Sequence, residues 1–175
     1  MGNEWKNVQI YFDKDGKLIG NPSMYLEKLE RVISMQYTEE LIPPYDEEKI
    51  YCFILRLFEI CNTDKELAKV DSHEEFNKLY KGKLGIQKHM HARSWTAATK
   101  DLAMIDVFFQ KNKGYTVTPT KKNFKMKGAF DYDKTHAIRI ETSDAPEKLA
   151  SAFLELMEYV MQNDLLQRPV EIKKP

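Results

Sequence analysis

Val8, Ile10 and Phe12 alternate with Gln9, Tyr11 and Asp13, the period-two pattern of a half-buried strand. Asp13-Lys-Asp-Gly16 reads as a tight turn in which Gly16 takes positive φ, and a short return strand through Leu18 and Ile19 follows. Asn21-Pro22 predicts a helix start, with Asn capping free N–H groups and Pro tolerated in the first turn. Leu26, Leu29 and Ile33 would form its apolar stripe. Pro43-Pro44 breaks the chain, and Asp46 is placed to cap a second helix. From Ile50 to Cys61 that helix is apolar nearly all round, which predicts a central position. Thr63-Asp-Lys-Glu66 and Ser72-His-Glu-Glu75 match capping-box spacing. They predict one or two short helices, ended by Gly82.

After Gly85 the pattern turns strand-like. Leu102–Phe109 and Tyr115–Thr118 flank Gln110-Lys-Asn-Lys-Gly114, a hairpin connection with glycine in the left-handed position. Ala129–Tyr132 and Ala137–Ile140 predict two more strands. Ser143 or Asp144 caps a last helix, lined on one face by Leu149, Ala152, Phe153, Leu156, Met157 and Val160. Residues 167–175 are expected to fray. The pattern is α+β: an antiparallel sheet, an N-terminal helical section, and a closing C-terminal helix packed on one face.

Composition narrows the function classes. A chain of 175 residues suits one domain spanning 1–175. Apolar residues make up 42% and charged residues 31%, as in ordinary soluble proteins. The formal net charge is zero, so no global field draws the chain to nucleic acid or lipid. The start lacks the apolar core of a signal peptide. Ile50–Cys61 is too short, and too interrupted by Arg56 and Glu59, to span a bilayer. Cys52 and Cys61 lie nine residues apart on the second predicted helix, so they point in opposite directions. Both are expected to be buried and unlinked, which fits a reducing cytoplasm.

The usual catalytic signatures are missing. There is no Gly-x-Ser-x-Gly elbow, and none of the seven glycines falls in a phosphate-loop or dinucleotide pattern. His89-Met90-His91 would put two imidazoles on one side of a strand, yet a zinc site needs three or four ligands. His73 and His136 lie on other elements. Neither catalytic residues, a metal nor a cofactor is expected.

Two charge patches stand out. Thr38–Glu48 holds Glu39, Glu40, Asp46, Glu47 and Glu48 with no basic residue. With Tyr37 and Tyr45 it makes a candidate protein-binding segment, stiffened by Pro43-Pro44. Lys111, Lys113, Lys121, Lys122, Lys125 and Lys127 interleave with Phe108, Phe109, Tyr115, Phe124 and Phe130. That composition suits a nucleic-acid-binding hairpin over 107–130, or a strand edge guarded by lysine. Arg93-Ser94-Trp95 reads either as an interface anchor or as a structural Trp with Arg stacked on it or paired to a carboxylate. The structural reading is favoured.

The order Arg93-Ser94-Trp95, then Tyr115-Thr-Val-Thr-Pro-Thr-Lys-Lys-Asn123, then His136-Ala-Ile-Arg-Ile-Glu141 and the Ser143–Met157 helix resembles the immunity-protein family of bacterial contact-dependent growth inhibition systems. Members carry an Arg-Ser-Trp near mid-chain, a strand ending in a Val-Thr-Pro-Thr-like turn, and a closing strand and helix. Phe124–Phe130 matches the family's glycine-bearing loop only loosely. The resemblance implies a non-enzymatic cytoplasmic protein whose partner is a cognate toxin domain, commonly a nuclease. It implies neither direct nucleic-acid binding nor a membrane. The alternative is a nucleic-acid-binding module using the lysine-rich hairpin.

Overall fold

The computed structural model describes residues 5–80, 85–123 and 125–163. Its elements in chain order are β1 (Trp5–Phe12), β2 (Leu18–Leu26), β3 (Arg31–Ser34), β4 (Glu39–Leu41), α1 (Glu47–Ile60), α2 (His73–Tyr80), α3 (Gly85–His89) and α4 (Trp95–Thr99). β5 (Ala103–Gln110), β6 (Gly114–Lys122), β7 (Phe130–Tyr132), β8 (Ile138–Ile140) and α5 (Ala145–Gln162) follow. The strands form a curled antiparallel sheet in the order β3-β2-β1-β5-β6-β7, with β4 also on β2 and β8 also on β6.

Alternation decides which face each strand gives to the helices. Val8, Ile10 and Phe12 of β1 stand opposite Val107, Ile105 and Ala103 of β5, and Val107 in turn faces Val117 of β6. All are buried with Phe53, Ile54 and Leu57 of α1 and Leu149, Phe153 and Leu156 of α5. Each fully buried large apolar side chain contributes about 1.5–3 kcal/mol. Asp46 Oδ1 accepts the Lys49 N–H at 2.8 Å, so the cap read from sequence starts α1 and aims its apolar face at the sheet. The hairpin glycine also stands where expected, with Gly114 at φ 74°. α5 closes this face as the pattern predicted.

Four local expectations are overturned. Asn21-Pro22 starts no helix; both lie inside β2, and a 3₁₀ turn at Glu27–Leu29 leads into β3. Asn21 is fully buried, and its amide donates to the carbonyls of Met35 (3.1 Å) and Tyr37 (2.8 Å). It ties β2 to the chain leaving β3 instead of capping. Leu26 and Ile33 of the expected stripe bury with Met24, Leu67, Val70 and Tyr80 in a second cluster, with Leu29 packed against it, and that packing overrides their helix-like spacing. Secondly, the segment after Gly85 opens with two five-residue helices, α3 and α4, before the strands begin. Thirdly, Val117-Thr-Pro-Thr120 ends no strand, because β6 runs on to Lys122. Lastly, Cys52 is exposed while Cys61 is buried; both are free thiols. Cys61 donates to the Asn7 carbonyl at 3.3 Å, and burial pushes its thiol pKa up.

Ser72 Oγ accepts the Glu75 N–H, as its spacing implied, whereas Asp64, and not Thr63, accepts the N–H groups that open the turn at Leu67–Lys69. Asp144 occupies the N-cap position of α5, but its carboxylate takes Lys148 at 2.6 Å. Gly82, Phe124 and the expected frayed tail, 167–175, lie outside the described residues.

Candidate functional site

The acidic segment is less negative in space than in sequence. Glu39 accepts Arg56 Nε of α1 at 2.8 Å. Glu40 pairs with Lys17 and with His89 Nε2 at 2.8 Å, and these partners, Lys17 first, hold its carboxyl below the usual range. Both glutamates, which have no cation near them in the linear segment, thus tie β4 to α1 and α3. Tyr37 donates to Glu39 Oε2 at 3.0 Å. Tyr45 donates to the Gly16 carbonyl at 2.7 Å and packs against the main core. Ile42 (64% exposed), Pro43, Pro44, Glu47 and Glu48 are left outermost, so the accessible part of the segment is the loop and the first turn of α1.

The lysines do not form one surface. Lys111 and Lys113 stand at the β5–β6 turn, while Lys121 and Lys125 lie at the far end of β6, roughly 25 Å away at about 3.4 Å per residue. Lys122 is buried; it donates to the Thr99 carbonyl and lies 4.4 Å from the Phe130 ring centre. Desolvation lowers its pKa to about 8. Tyr115 is a core residue, and Phe109 packs on Phe58 and Tyr115. Those rings are unavailable for stacking on bases.

His89 and His91 share no strand. His89 ends α3, with Nδ1 2.9 Å from Thr38 Oγ1, and His91 sits beyond it at φ 48°. Among the described residues no group of three or more His, Cys, Asp or Glu is placed to hold a metal. Ser94 caps α4 by accepting the Ala97 N–H at 3.2 Å. Trp95, at the start of that helix, donates Nε1–H to the Gly128 carbonyl at 2.8 Å and meets Tyr11 edge-on. Arg93 is exposed; the cation over a ring in this region is Lys122. Trp95→Ala is expected to cost about 3 kcal/mol, at the low end for a large aromatic because the ring is half-buried. Thermal melting checks this, and an unchanged melting temperature would show that the ring does not hold the fold.

A feature absent from the linear reading lies on the opposite, concave face of the sheet. α3 and α4 cover one half of it, burying Tyr11, Ile19, Ile86, Ala98, Leu102 and Met104. The other half is an open groove of about 580 Å³. β1 supplies Trp5, Asn7 and Gln9 to it, β5 supplies Asp106 and Phe108, and Tyr25, Val32 and Tyr132 complete it from β2, β3 and β7. Residues from both edge strands line one cavity because the sheet curls. Asp106 is buried at the floor and accepts Asn7 Nδ2 at 2.8 Å. Asn7 Oδ1 in turn accepts the Ser23 hydroxyl at 3.0 Å. Desolvation pushes the Asp106 carboxyl up to about 6, against the opposing pull of Asn7.

No family model matches the chain, and no curated protein matches it. Among solved structures, a protein of unknown function from Neisseria meningitidis is similar at TM-score 0.67 and 12% identity, over 90% of this chain and 96% of that one. A chain of the CdiA-CT/CdiI toxin and immunity complex from Yersinia pseudotuberculosis is similar at TM-score 0.57 and 8% identity, over 88% of this chain and 96% of that one. At these identities the likeness is one of fold. No helix among the described residues is long and apolar enough to cross a membrane.

Proposed function

We propose that this protein is an immunity protein of a contact-dependent growth inhibition system, acting in the cytoplasm. It binds the toxic C-terminal domain of its cognate effector and silences it without turnover. The observation that carries this reading is the fold likeness, over 88% of this chain, to a chain of a toxin and immunity complex, joined to the family-like order of Arg93-Ser94-Trp95, Val117-Thr-Pro-Thr120 and the closing helix. The places of those residues agree with it. Ser94 caps, Trp95 ties α4 to the loop at Gly128, and Thr120 donates to the Met104 carbonyl at 2.6 Å. They hold the fold together, as a motif common to inhibitors of different toxins should.

An antidote must keep free toxin scarce, which calls for roughly −12 kcal/mol or better. Interfaces of that strength commonly bury about 1,600 Å² around a few desolvated anchors. The test is coexpression with the toxic domain encoded beside the gene. Restored growth and a stoichiometric complex on gel filtration are expected. Growth arrest that the chain does not relieve would refute the reading.

The exposed turn around Pro43-Pro44, with Glu47 and Glu48, is the proposed docking segment for a basic nuclease domain. Reversing Glu39 and Glu40 would break ion pairs worth up to about 1 kcal/mol each and confuse folding with binding. Glu47→Lys with Glu48→Lys is cleaner. The expected stability loss is about 1–2 kcal/mol from the helix N-terminus, and association should slow about tenfold at low salt. A folded double variant that associates at the wild-type rate would place the interface elsewhere.

Because the lysines are split between two ends of β6, tRNA or DNA binding is expected to be weak and to vanish near 0.15 M salt. A micromolar dissociation constant that survives that salt, measured by fluorescence anisotropy, would favour the nucleic-acid module instead.

A further inference from the structure

We propose that the concave groove is a receptor for an arginine side chain presented by the protein partner. The toxin-binding reading supplies the source of that side chain; the chemistry of the site comes from the groove itself. Asp106 is only 7% exposed. One of its oxygens takes the Asn7 amide, and the other has no hydrogen-bond partner among the described residues. Among the described residues no lysine or arginine lines the groove. A carboxylate withdrawn from water without a counter-cation is costly, and a cation entering from outside would remove that cost.

The walls suit such a cation. Trp5 stacks on Phe108 at 5.9 Å and meets Tyr25 edge-on at 5.8 Å, while Tyr132 stands on β7 at the other side. Aromatic faces carry negative potential and attract cations, most strongly where water is excluded. A guanidinium is flat, so it stacks on such rings while its donors reach a carboxylate at the floor; a lysine ammonium does the second without the first. The cavity, about 580 Å³, has room for a side chain with a piece of its backbone. Val32 and Tyr132, 46% and 48% exposed at the two rims, leave it open for a protruding segment. Domains that handle phosphate backbones are rich in basic side chains, which gives the partner the complementary charge.

The experiment titrates the full chain, ¹⁵N-labelled, with acetyl-Gly-Arg-Gly-amide and, separately, with the same peptide carrying neutral citrulline. The two tryptophans give two indole N–H signals: Trp5 lies in the groove, and Trp95 is bonded to Gly128. A saturable shift of Trp5 alone is expected with the arginine peptide, with a dissociation constant on the order of 1 mM. It should weaken about tenfold or more in Asp106→Asn and weaken in Tyr132→Leu, both checked for folding by circular dichroism. Binding should also decline as pH falls through about 6, where Asp106 takes up its proton; the other titratable groups facing it, Tyr11 and Tyr132, stay neutral there. Absence of a Trp5 shift, an equal response to citrulline, or an unchanged affinity in Asp106→Asn would each overturn the proposal. In a second arm Asp106→Asn is expected to bind the toxic domain more weakly than wild type. Peptide binding with no toxin complex in the wild-type chain would instead sink the immunity reading. An intact toxin complex with no peptide response would sink the groove alone.

Discussion

Asp106→Asn is expected to be more stable than the wild-type chain at pH 7. The carboxyl titrates near 6 in the folded protein against an ordinary value of 3.8, with desolvation as the main cause. Below about pH 4 both folded and unfolded chains hold the proton, and the group makes no difference. Between about 4 and 6 the folded chain keeps a proton that the unfolded chain has released, so stability falls as pH rises. Above about 6 the full penalty is present, about 3 kcal/mol at 1.36 kcal/mol per unit. Asparagine has the same shape and still accepts the Asn7 amide, and it carries no charge to desolvate. For a chain of this length the melting temperature at pH 7 should rise by about 5–10 °C, with the difference closing near pH 4. A variant that melts lower than wild type at pH 7 would show the charge to be compensated. A side chain that destabilises its own fold is the pattern of a site kept for binding.

Gly114→Ala is expected to lose about 3 kcal/mol or more. At φ 74° an added Cβ costs about 1–2 kcal/mol in backbone strain. Here it would also stand 2.1 Å from the Ile140 carbonyl oxygen, a backbone atom of β8. The obstacle cannot rotate away, so the β6–β8 pairing at Tyr115 and Ile140 must open. Gly16→Ala serves as the control. It shares the positive φ, at 81°, but its Cβ would come no nearer than 3.3 Å to Tyr45 Oη, so a loss of only about 1–2 kcal/mol is expected. Equal losses in urea denaturation would refute the role given to the β8 contact.

Where the sequence was read correctly, one local signal was strong and uncontested. Val8-Ile10-Phe12 alternates cleanly, Asp46 stands before a long apolar run, and Gly114 follows a polar turn. The errors have physical causes. Asn21-Pro22 looks like a helix start because capping is a local property, whereas its actual partners are the carbonyls of residues 35 and 37. α3 and α4 span five residues each, less than two helical turns, so no 3.6-residue period can emerge. Glu39 and Glu40 looked uncommitted because Lys17, Arg56 and His89 are remote in the chain. The groove draws on residues from Trp5 to Tyr132, and no spacing rule reaches that far. One signal was available: Ala103-Met-Ile-Asp-Val-Phe-Phe109 places a single acid inside an otherwise apolar strand.

The central pairing of the sheet joins Trp5 to Gln110 and Phe12 to Ala103. At ribosomal speeds of about 5–20 residues per second, the partner of β1 emerges roughly 5–20 s after β1 itself. Until then β1 pairs only with β2, and its other edge is open. Neither the main core nor the groove floor at Asp106 exists before that strand is made. Any surface built on β5, the groove included, therefore becomes available for binding only once the chain has been made past Gln110.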